Sequence, residues 1–272
     1  MHSTFMIYNM APATKPTIVL VHGAWHSVDC FDLLRGELHK RGWPTEAPAH
    51  PSPGADSGTA VGTAENAAAI RKVLQRLCDE GKEIVVVAHS YGGATSSCAV
   101  EGLASKHRAA AGQHGGVILL VYLTAFVIPK GVSILEASGG TLPPWQKLQG
   151  SFVHVVTPED VFYHDVPPSM GKKFIGLLRP EPLKIFEDKI TYEPWHDIKC
   201  AYICCDDDRA IPLPVQEEMA ALLGPDSAVF HIKASHSPFL SNPHLVANHI
   251  EQAVTGGQGL LGYLVASRDR DI

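Results

Sequence analysis

Short apolar runs recur along the chain, and longer stretches with helical periodicity separate them. Four runs rich in β-branched residues indicate strands buried on both faces, because buried parallel strands are continuously apolar rather than alternating. These predicted strands cover 17–21, 84–88, 117–122 and 199–204, and a weaker fifth strand covers 228–232. Helices are predicted over 30–41, 60–80, 92–107, 212–223 and 243–254, the last with Asn242 as its N-cap. The alternation predicts an α/β fold with a mostly parallel central sheet flanked by helices.

Residues 128–195 interrupt this alternation with several prolines and short amphipathic pieces, and they contain no strong strand-like run. We therefore expect a helical cap at about 128–195, inserted over the carboxyl edge of the sheet. The core is expected at about 16–127 and 196–255, within one domain that spans 1–272. The pattern assigns no structure to the tail at 256–272, which is glycine-rich, then apolar, then charged.

Composition narrows the class of ligand and the compartment. The 272 residues are 45% hydrophobic and carry a net charge of −6, so no basic surface for nucleic acid or an anionic membrane is expected. A small neutral molecule fits this balance better than a polyanion. Residues 1–16 lack the pattern of a secretory signal, the apolar runs are only strand-length, and the six cysteines show no metal-ligand spacing. We expect reduced thiols and a cytoplasmic protein. A homodimer is compatible with the sequence, which does not decide the oligomeric state.

The segment from Ala88 to Gly93 directly follows the strongest predicted strand and opens a helix of small residues. A sharp strand-to-helix turn holds a serine in strained backbone geometry and exposes its Oγ, which predicts Ser90 as a nucleophile. The positions two before and two after the serine must be small; Gly92 fits, and Ala88 stands where glycine is usual. The alternative, in which Ser90 only caps the helix, does not explain two glycines there, since each costs about 1 kcal/mol.

A backbone donor for a developing oxyanion is expected where the first strong strand ends, at His22-Gly23-Ala24-Trp25. This placement, together with the residue after the nucleophile, predicts the backbone N–H groups of Ala24 and Tyr91 as the oxyanion hole. A simple turn at the end of the strand is the alternative interpretation of the same four residues.

A general base is expected in the loop between the last strand and the last helix, which holds His236. His231 is the main rival among the 15 histidines, but it belongs to the predicted strand at 228–232 and should be fixed in the sheet. The acid should follow the strand that ends near residue 204, where three aspartates stand together. The residues alone leave Asp206, Asp207 and Asp208 open.

These motifs together resemble the α/β-hydrolase superfamily, in the branch that holds plant methyl esterases, hydroxynitrile lyases and bacterial esterases. The matching segments lie in the family's order at 19–25, 88–93, 121–126 with Pro129 and Gly131, 179–182, 208–212 and 234–236. The resemblance implies the α/β-hydrolase fold over about 16–252. It also implies Asp208 as the acid, because similar proteins place it a few residues before a proline, in a run like Asp-Arg-x-Ile-Pro.

The resemblance implies a serine hydrolase that cleaves a carboxylic ester, methyl ester or lactone of a small apolar or aromatic molecule. Ser90 would attack the carbonyl, His236 would take its proton, and Asp208 would orient His236; no metal or organic cofactor is required. Lyases of this branch carry a threonine in the oxyanion loop and a lysine just after the histidine. Ala24 and Ser237 stand at those places here, which argues against a hydroxynitrile lyase.

Three alternatives share this scaffold and stay open. One is C–C bond hydrolysis of a β-dicarbonyl-type substrate on the same triad. Another is a lyase that uses the serine and the histidine without an acyl-enzyme, and the third is a non-catalytic small-molecule receptor. A receptor has no need of an intact triad, which favours an enzyme.

The substrate pocket is expected between the turn at Ser90 and the cap. Its candidate lining residues are aromatic side chains from the oxyanion loop, the loop after the third strong strand and the cap: Trp25, His26, Tyr91, Phe126, Trp145, Phe152, Phe162, Tyr163 and Trp195. His26 is in addition a candidate for binding a polar substrate group.

Overall fold

A computed structural model describes residues 15–56 and 61–256. The predictions for the amino-terminal segment up to residue 14 and for the tail from 257 onward lie outside the described residues. Nine strands are present in the described parts: β1 Thr17–Val21, β2 Thr45–Glu46, β3 Glu83–His89, β4 Gly116–Leu123, β5 Gln146–Gln149, β6 Phe152–Val155, β7 Glu181–Pro182, β8 Lys199–Cys205 and β9 Ala228–Ile232. All five predicted strands are found, two of them with the predicted bounds.

The helices of the described residues are α1 Asp32–Lys40, α2 Thr63–Asp79, α3 Gly92–Ala99, α4 Ser105–Ala110, α5 Ile134–Ala137, α6 Pro158–Val161, α7 Pro168–Ile175, α8 Lys184–Glu187, α9 Leu213–Ala221, α10 Pro238–Ser241 and α11 Pro243–Thr255. The single helix predicted over 92–107 is wrong. It is two helices, because Gly102 takes a positive φ of 75° and ends the first one. Asn242 precedes α11 as predicted, but its side chain makes no capping hydrogen bond.

A six-stranded parallel sheet forms the centre, in the order β2-β1-β3-β4-β8-β9. Val21 at the end of β1 pairs with Ala88 of β3, and His89 pairs with Leu123 at the end of β4. The carboxyl ends of the three strands are therefore level. Ligands of open α/β sheets bind at this edge, so the segments that follow these strands meet where chemistry is expected.

Two apolar cores lie on opposite faces of the sheet. On one face, α1 and α11 pack against each other and against alternate residues of the strands, such as Leu20 and Val87. On the other face, α2 and α3 pack together, and the core there includes Tyr122 and Tyr202. This three-layer arrangement explains the continuously apolar runs of β1, β3, β4 and β8, since both faces of these central strands are covered. No helix in the described parts of the chain is long and apolar enough to cross a bilayer.

The insertion between β4 and β8 is only partly helical, which corrects the prediction of a helical cap at 128–195. It carries four short helices and an antiparallel sheet of β5, β6 and β7. The hydrophobic pattern did not predict these strands, because they are short and one of them is polar and largely exposed. They therefore contain no apolar run of strand length.

Gly92 is required by the close approach of α3 to the end of β1. A Cβ at this position would lie 2.6 Å from the carbonyl oxygen of Val21. We expect Gly92→Ala to lower the free energy of unfolding by about 1–3 kcal/mol, as for other overpacked sites, because α3 has to move away from β1. Denaturant unfolding measures this effect.

Gly36 provides the matched control, because a Cβ there meets no atom within 4 Å and the residue lies inside α1. Gly36→Ala should raise the free energy of unfolding by about 0.5–1 kcal/mol through helix propensity. Equal effects of the two substitutions would contradict the close-approach argument.

Candidate active site

Ser90 lies in a strained turn between β3 and α3. Its φ is 54°, a left-handed conformation that is uncommon for a residue with a Cβ. The surrounding backbone holds this geometry: the Ser90 carbonyl accepts hydrogen bonds from Gly93 and Phe126, each at 3.0 Å. Strain that the surroundings fix in this way is characteristic of functional positions. The turn therefore has the geometry predicted for a nucleophile.

His236 lies within hydrogen-bonding distance of both predicted partners. Its Nε2 is 2.9 Å from Ser90 Oγ, and its Nδ1 is 2.7 Å from Asp208 Oδ2. Since a carboxylate oxygen accepts, Nδ1 carries the proton and donates it, which leaves Nε2 to accept from the serine hydroxyl. All three residues are buried. This arrangement can take a proton from Ser90 as its oxygen attacks an electrophile.

The Asp208 carboxylate receives hydrogen bonds from the backbone as well as from His236. Its Oδ1 accepts from the N–H groups of Ala210 and Ile211, at 2.7 and 3.0 Å. The hydroxyl of Thr124 donates to the same oxygen that His236 contacts. Four donors thus hold the carboxylate in one orientation.

Thr124 is the residue of this group to which the sequence analysis gave no role. It directly follows β4, and its φ of 37° is also positive. β4 pairs with β8, and Asp208 follows the end of β8, so strand pairing brings the two side chains together. The position of Thr124 at a strand end was the signal that could have identified it.

The rival aspartates and the rival histidine lie apart from Ser90. His231 is exposed and its Nδ1 is 2.8 Å from Asp206, with which it forms a surface pair. Asp207 is exposed. The structure therefore brings Asp208, rather than its two neighbours, to His236.

A cavity of about 810 Å³ opens beside Ser90 and is lined by Ala24 and Tyr91. The N–H groups of these two residues have no hydrogen-bond acceptor in the parts of the chain that the structure describes. Free backbone donors next to a nucleophile are what an oxyanion hole requires. The two amides are therefore available to an oxygen atom of a ligand.

Four of the nine candidate lining residues border this cavity: Trp25, Tyr91, Phe126 and Trp145. The other five do not, and the prediction was wrong for His26, Phe152, Phe162, Tyr163 and Trp195. Phe162 packs beneath the site, with its ring 5.5 Å from that of His236. Trp195 packs against the core on the opposite face of the sheet. Aromatic residue type alone does not reveal which face of an insertion meets a pocket.

His26 does not reach the cavity because both of its ring nitrogens are already used. Nδ1 donates to the Ala24 carbonyl at 2.7 Å, and Nε2 accepts from the Tyr163 hydroxyl at 2.8 Å. Burial lowers the pKa of His26 to about 3 and that of His22 to about 4. The pKa values of His50 and His89 are lowered well below the usual range for the same reason. Four buried histidines near Ser90 are thus neutral.

The loop that carries His236 is tied to the insertion. The Ser235 hydroxyl donates to the carbonyl of Phe162, and the Ser235 N–H donates to Asp165, both at 2.9 Å.

No group of three His, Cys, Asp or Glu side chains in residues 15–56 and 61–256 is placed to hold a metal ion.

Comparison with known proteins identifies the family. The model of the alpha/beta hydrolase family matches residues 18–249. The alpha/beta hydrolase nvfD of Aspergillus novofumigatus is 30% identical over 246 residues, which are 88% of this chain and 96% of that protein. The pyrethroid hydrolase of Sphingobium wenxiniae is 27% identical and covers 87% of each chain.

Solved structures agree on the fold. The crystal structure of the methylesterase protein MES16 from Arabidopsis superposes with a TM-score of 0.70 at 19% identity, covering 89% of this chain and 100% of that one. The resemblance to plant methylesterases and bacterial esterases drawn from the motifs is confirmed. With its six-stranded parallel sheet and a family match over most of its length, the chain belongs to the alpha/beta hydrolase family.

Proposed function

We propose that this chain is a serine hydrolase that cleaves bulky, neutral carboxylic esters through Ser90, His236 and Asp208. The observation that carries the proposal is the continuous hydrogen-bonded line from Ser90 Oγ through His236 to Asp208, beside a cavity with two free amides. Relatives named hydrolases and methylesterases support ester hydrolysis as the class of reaction.

The reaction proceeds in two halves. Ser90 Oγ attacks the carbonyl carbon while His236 Nε2 takes the hydroxyl proton, and the carbonyl oxygen becomes an oxyanion held by the amides of Ala24 and Tyr91. His236 then gives its proton to the leaving alcohol, which leaves an acyl group on Ser90. Water, deprotonated by His236, attacks this ester and releases the acid with Ser90 restored.

The cavity supports a bulky and uncharged substrate. Its volume of about 810 Å³ lies in the upper part of the range of about 300–1,000 Å³ for small-molecule sites. Among the described residues, no lysine, arginine or histidine lines it, and Glu218, which is exposed, is its one charged lining residue. A substrate carboxylate would be buried there without a partner, which is costly.

The insertion is proposed to act as a cap. Most residues of the segment 134–146 and Phe186 line the same cavity as Ser90, so the insertion limits the size of the acyl or alcohol group that fits.

Ser90→Ala should abolish ester hydrolysis, with turnover lower by about three or more orders of magnitude because the nucleophile is lost. A fluorophosphonate should label Ser90 once per chain, as read by peptide mass. Ser96→Ala is the control, since the buried Ser96 hydroxyl has no partner among the described residues. An unlabelled Ser90, or equal turnover of the Ser90→Ala variant and the wild type, would refute the proposal.

A panel of aryl esters, lactones and β-diketones distinguishes ester hydrolysis from C–C bond cleavage on the same triad. We expect the aryl esters to give the highest kcat/KM, because the described lining of the cavity has no cationic side chain that would polarise a second carbonyl. Faster turnover of the diketones would assign the triad to C–C hydrolysis instead.

Asp208→Asn should lower kcat by roughly 10³–10⁴-fold, because the amide no longer fixes the proton of His236 on Nδ1. Asp206→Asn, in the same loop, should leave kcat within about two-fold, since Asp206 contacts the exposed His231. Steady-state kinetics on one aryl ester measure both variants. A larger loss in Asp206→Asn would transfer the role of the acid to that residue.

A carboxylate placed on the acyl group of a good aryl ester should lower kcat/KM by roughly 100-fold, because the cavity offers it no cation. The matched carboxamide separates charge from polarity and should lose much less. Equal kcat/KM for the neutral ester and the carboxylate would show that substrate charge is not selected.

A further inference from the structure

Both polar groups of the peptide bond between Ala24 and Trp25 are held by buried side chains. The Ala24 carbonyl accepts a hydrogen bond from His26 Nδ1 at 2.7 Å, and the Trp25 N–H donates to Glu181 Oε1 at 2.9 Å. This peptide directly follows the amide of Ala24, the proposed oxyanion donor. Holding this plane restricts the torsion on the carboxyl side of Ala24 and thereby limits the directions that its amide can take.

The hydrogen bond to the Ala24 carbonyl is supported in turn by a residue of the insertion. His26 donates from Nδ1, so its Nε2 must accept, and the Tyr163 hydroxyl donates to it at 2.8 Å. All three participants are buried. Tyr163 thus sets the ring orientation and the tautomer of His26, and through His26 the orientation of the Ala24 carbonyl.

Trp25 itself is held in an unfavourable conformation by the same insertion. Its φ is 65°, its carbonyl accepts from the Arg179 N–H at 3.0 Å, and its indole N–H donates to the Val153 carbonyl at 2.9 Å. A residue with a large side chain keeps a positive φ only where its surroundings over-determine it. Here the surroundings are the strands and loops of the insertion.

Glu181 is an unusual choice for this contact because it is fully buried and carries no cationic partner. Its Oε2 has no hydrogen-bond partner among the described residues. The groups that face it are the amide of Trp25, the hydroxyl of Ser52 and the phenol of Tyr91, none of them charged at neutral pH. Burial raises the pKa of Glu181 to about 8, and hydrogen bonds from Ser52 and from the Trp25 N–H lower that pKa by less than burial raises it. The residue is therefore mostly protonated at neutral pH.

We propose that Glu181 and the Tyr163–His26 pair are positioning residues that hold the backbone at Ala24 in the orientation that binds the oxyanion. The insertion then assembles the site as well as covering it. The inference rests on the proposed function, because it assigns a role in stabilising the tetrahedral intermediate of that reaction. Neither Glu181 nor Tyr163 lines the cavity, so neither acts by touching the substrate.

The test compares kinetics with the binding of a tetrahedral adduct. Ser90 Oγ adds to the carbonyl carbon of an aryl trifluoromethyl ketone while His236 takes the serine proton. The carbonyl oxygen becomes an oxyanion at the two amides. The matched methyl ketone has the same skeleton but forms little adduct. Losing one oxyanion donor costs about 10²–10³ in kcat, so misplacing one should cost about 10–100-fold.

Tyr163→Phe and Glu181→Leu should each lower kcat by about 10–100-fold with KM changed by less than about three-fold. The affinity for the trifluoromethyl ketone should fall by the same factor, and that for the methyl ketone should not change. Tyr122→Phe is the matched control, because it removes a buried hydroxyl that bonds Ser97 on the opposite face of the sheet. It should leave both affinities and kcat as in the wild type.

Glu181→Gln tests the charge. Its amide oxygen still accepts from Trp25, so kcat at neutral pH should stay within about three-fold of the wild type. In the wild type, activity should fall as the pH rises through about 8, where Glu181 ionises and places a negative charge against the Trp25 N–H, one peptide from the proposed oxyanion donor. The Glu181→Gln variant should lack this decline.

The outcomes are separable. If folded Tyr163→Phe keeps wild-type kcat and wild-type affinity for the trifluoromethyl ketone, the inference is wrong, whatever happens to stability. Tyr163→Phe alone decides the matter if Glu181→Leu does not fold. If the wild type shows no turnover that depends on Ser90, the proposed function has failed instead.

Discussion

The close approach of three backbone segments around residue 90 is the constraint on which the site depends. The turn at Ser90 lies directly against the end of β1, so that a Cβ on Gly23 would come within 2.8 Å of the Ser90 Cβ. On the other side the Ser90 carbonyl accepts from Phe126, in the loop after β4. Because the sheet is parallel and its strand ends are level, one tight turn brings together Ser90, the proposed oxyanion donor Tyr91 and the loop that carries Thr124.

Burial then determines which groups near the nucleophile carry charge. The four neutral histidines around the turn serve as hydrogen-bonding groups of fixed tautomer rather than as acids or bases. Asp208 is different, because four donors converge on its carboxylate and compensate for its removal from water. Among the histidines of the described residues, His236 is the one near Ser90 that contacts a carboxylate, and this contact distinguishes it from its neighbours.

The sequence predicted the parts of this arrangement that follow from strand pattern and chain order. Ser90 was predicted because the buried parallel strand before it leaves a continuous apolar run, and His236 because the chain order places it after the last strand, where the segment must reach the same edge of the sheet. Thr124 and Glu181 received no role, since each contacts a partner that is distant in sequence. Trp195 was misplaced because periodicity does not say which side of the sheet an insertion's aromatic residue faces.

The apolar lining of the cavity and the fixed backbone at Ala24 are related in the proposed reaction. Among the described residues, the cavity lining has no cation to stabilise an oxyanion, so the proposed stabilisation depends on hydrogen bonds, first of all from the amides of Ala24 and Tyr91. The low local dielectric of an apolar cavity strengthens each hydrogen bond from an amide to the oxyanion. This gain requires that the amide already points at the oxyanion. The orientation of the amide at Ala24 therefore matters more here than in a polar site. In the proposed reaction, side chains that do not line the cavity, such as Tyr163 and Glu181, then act through the backbone at Ala24.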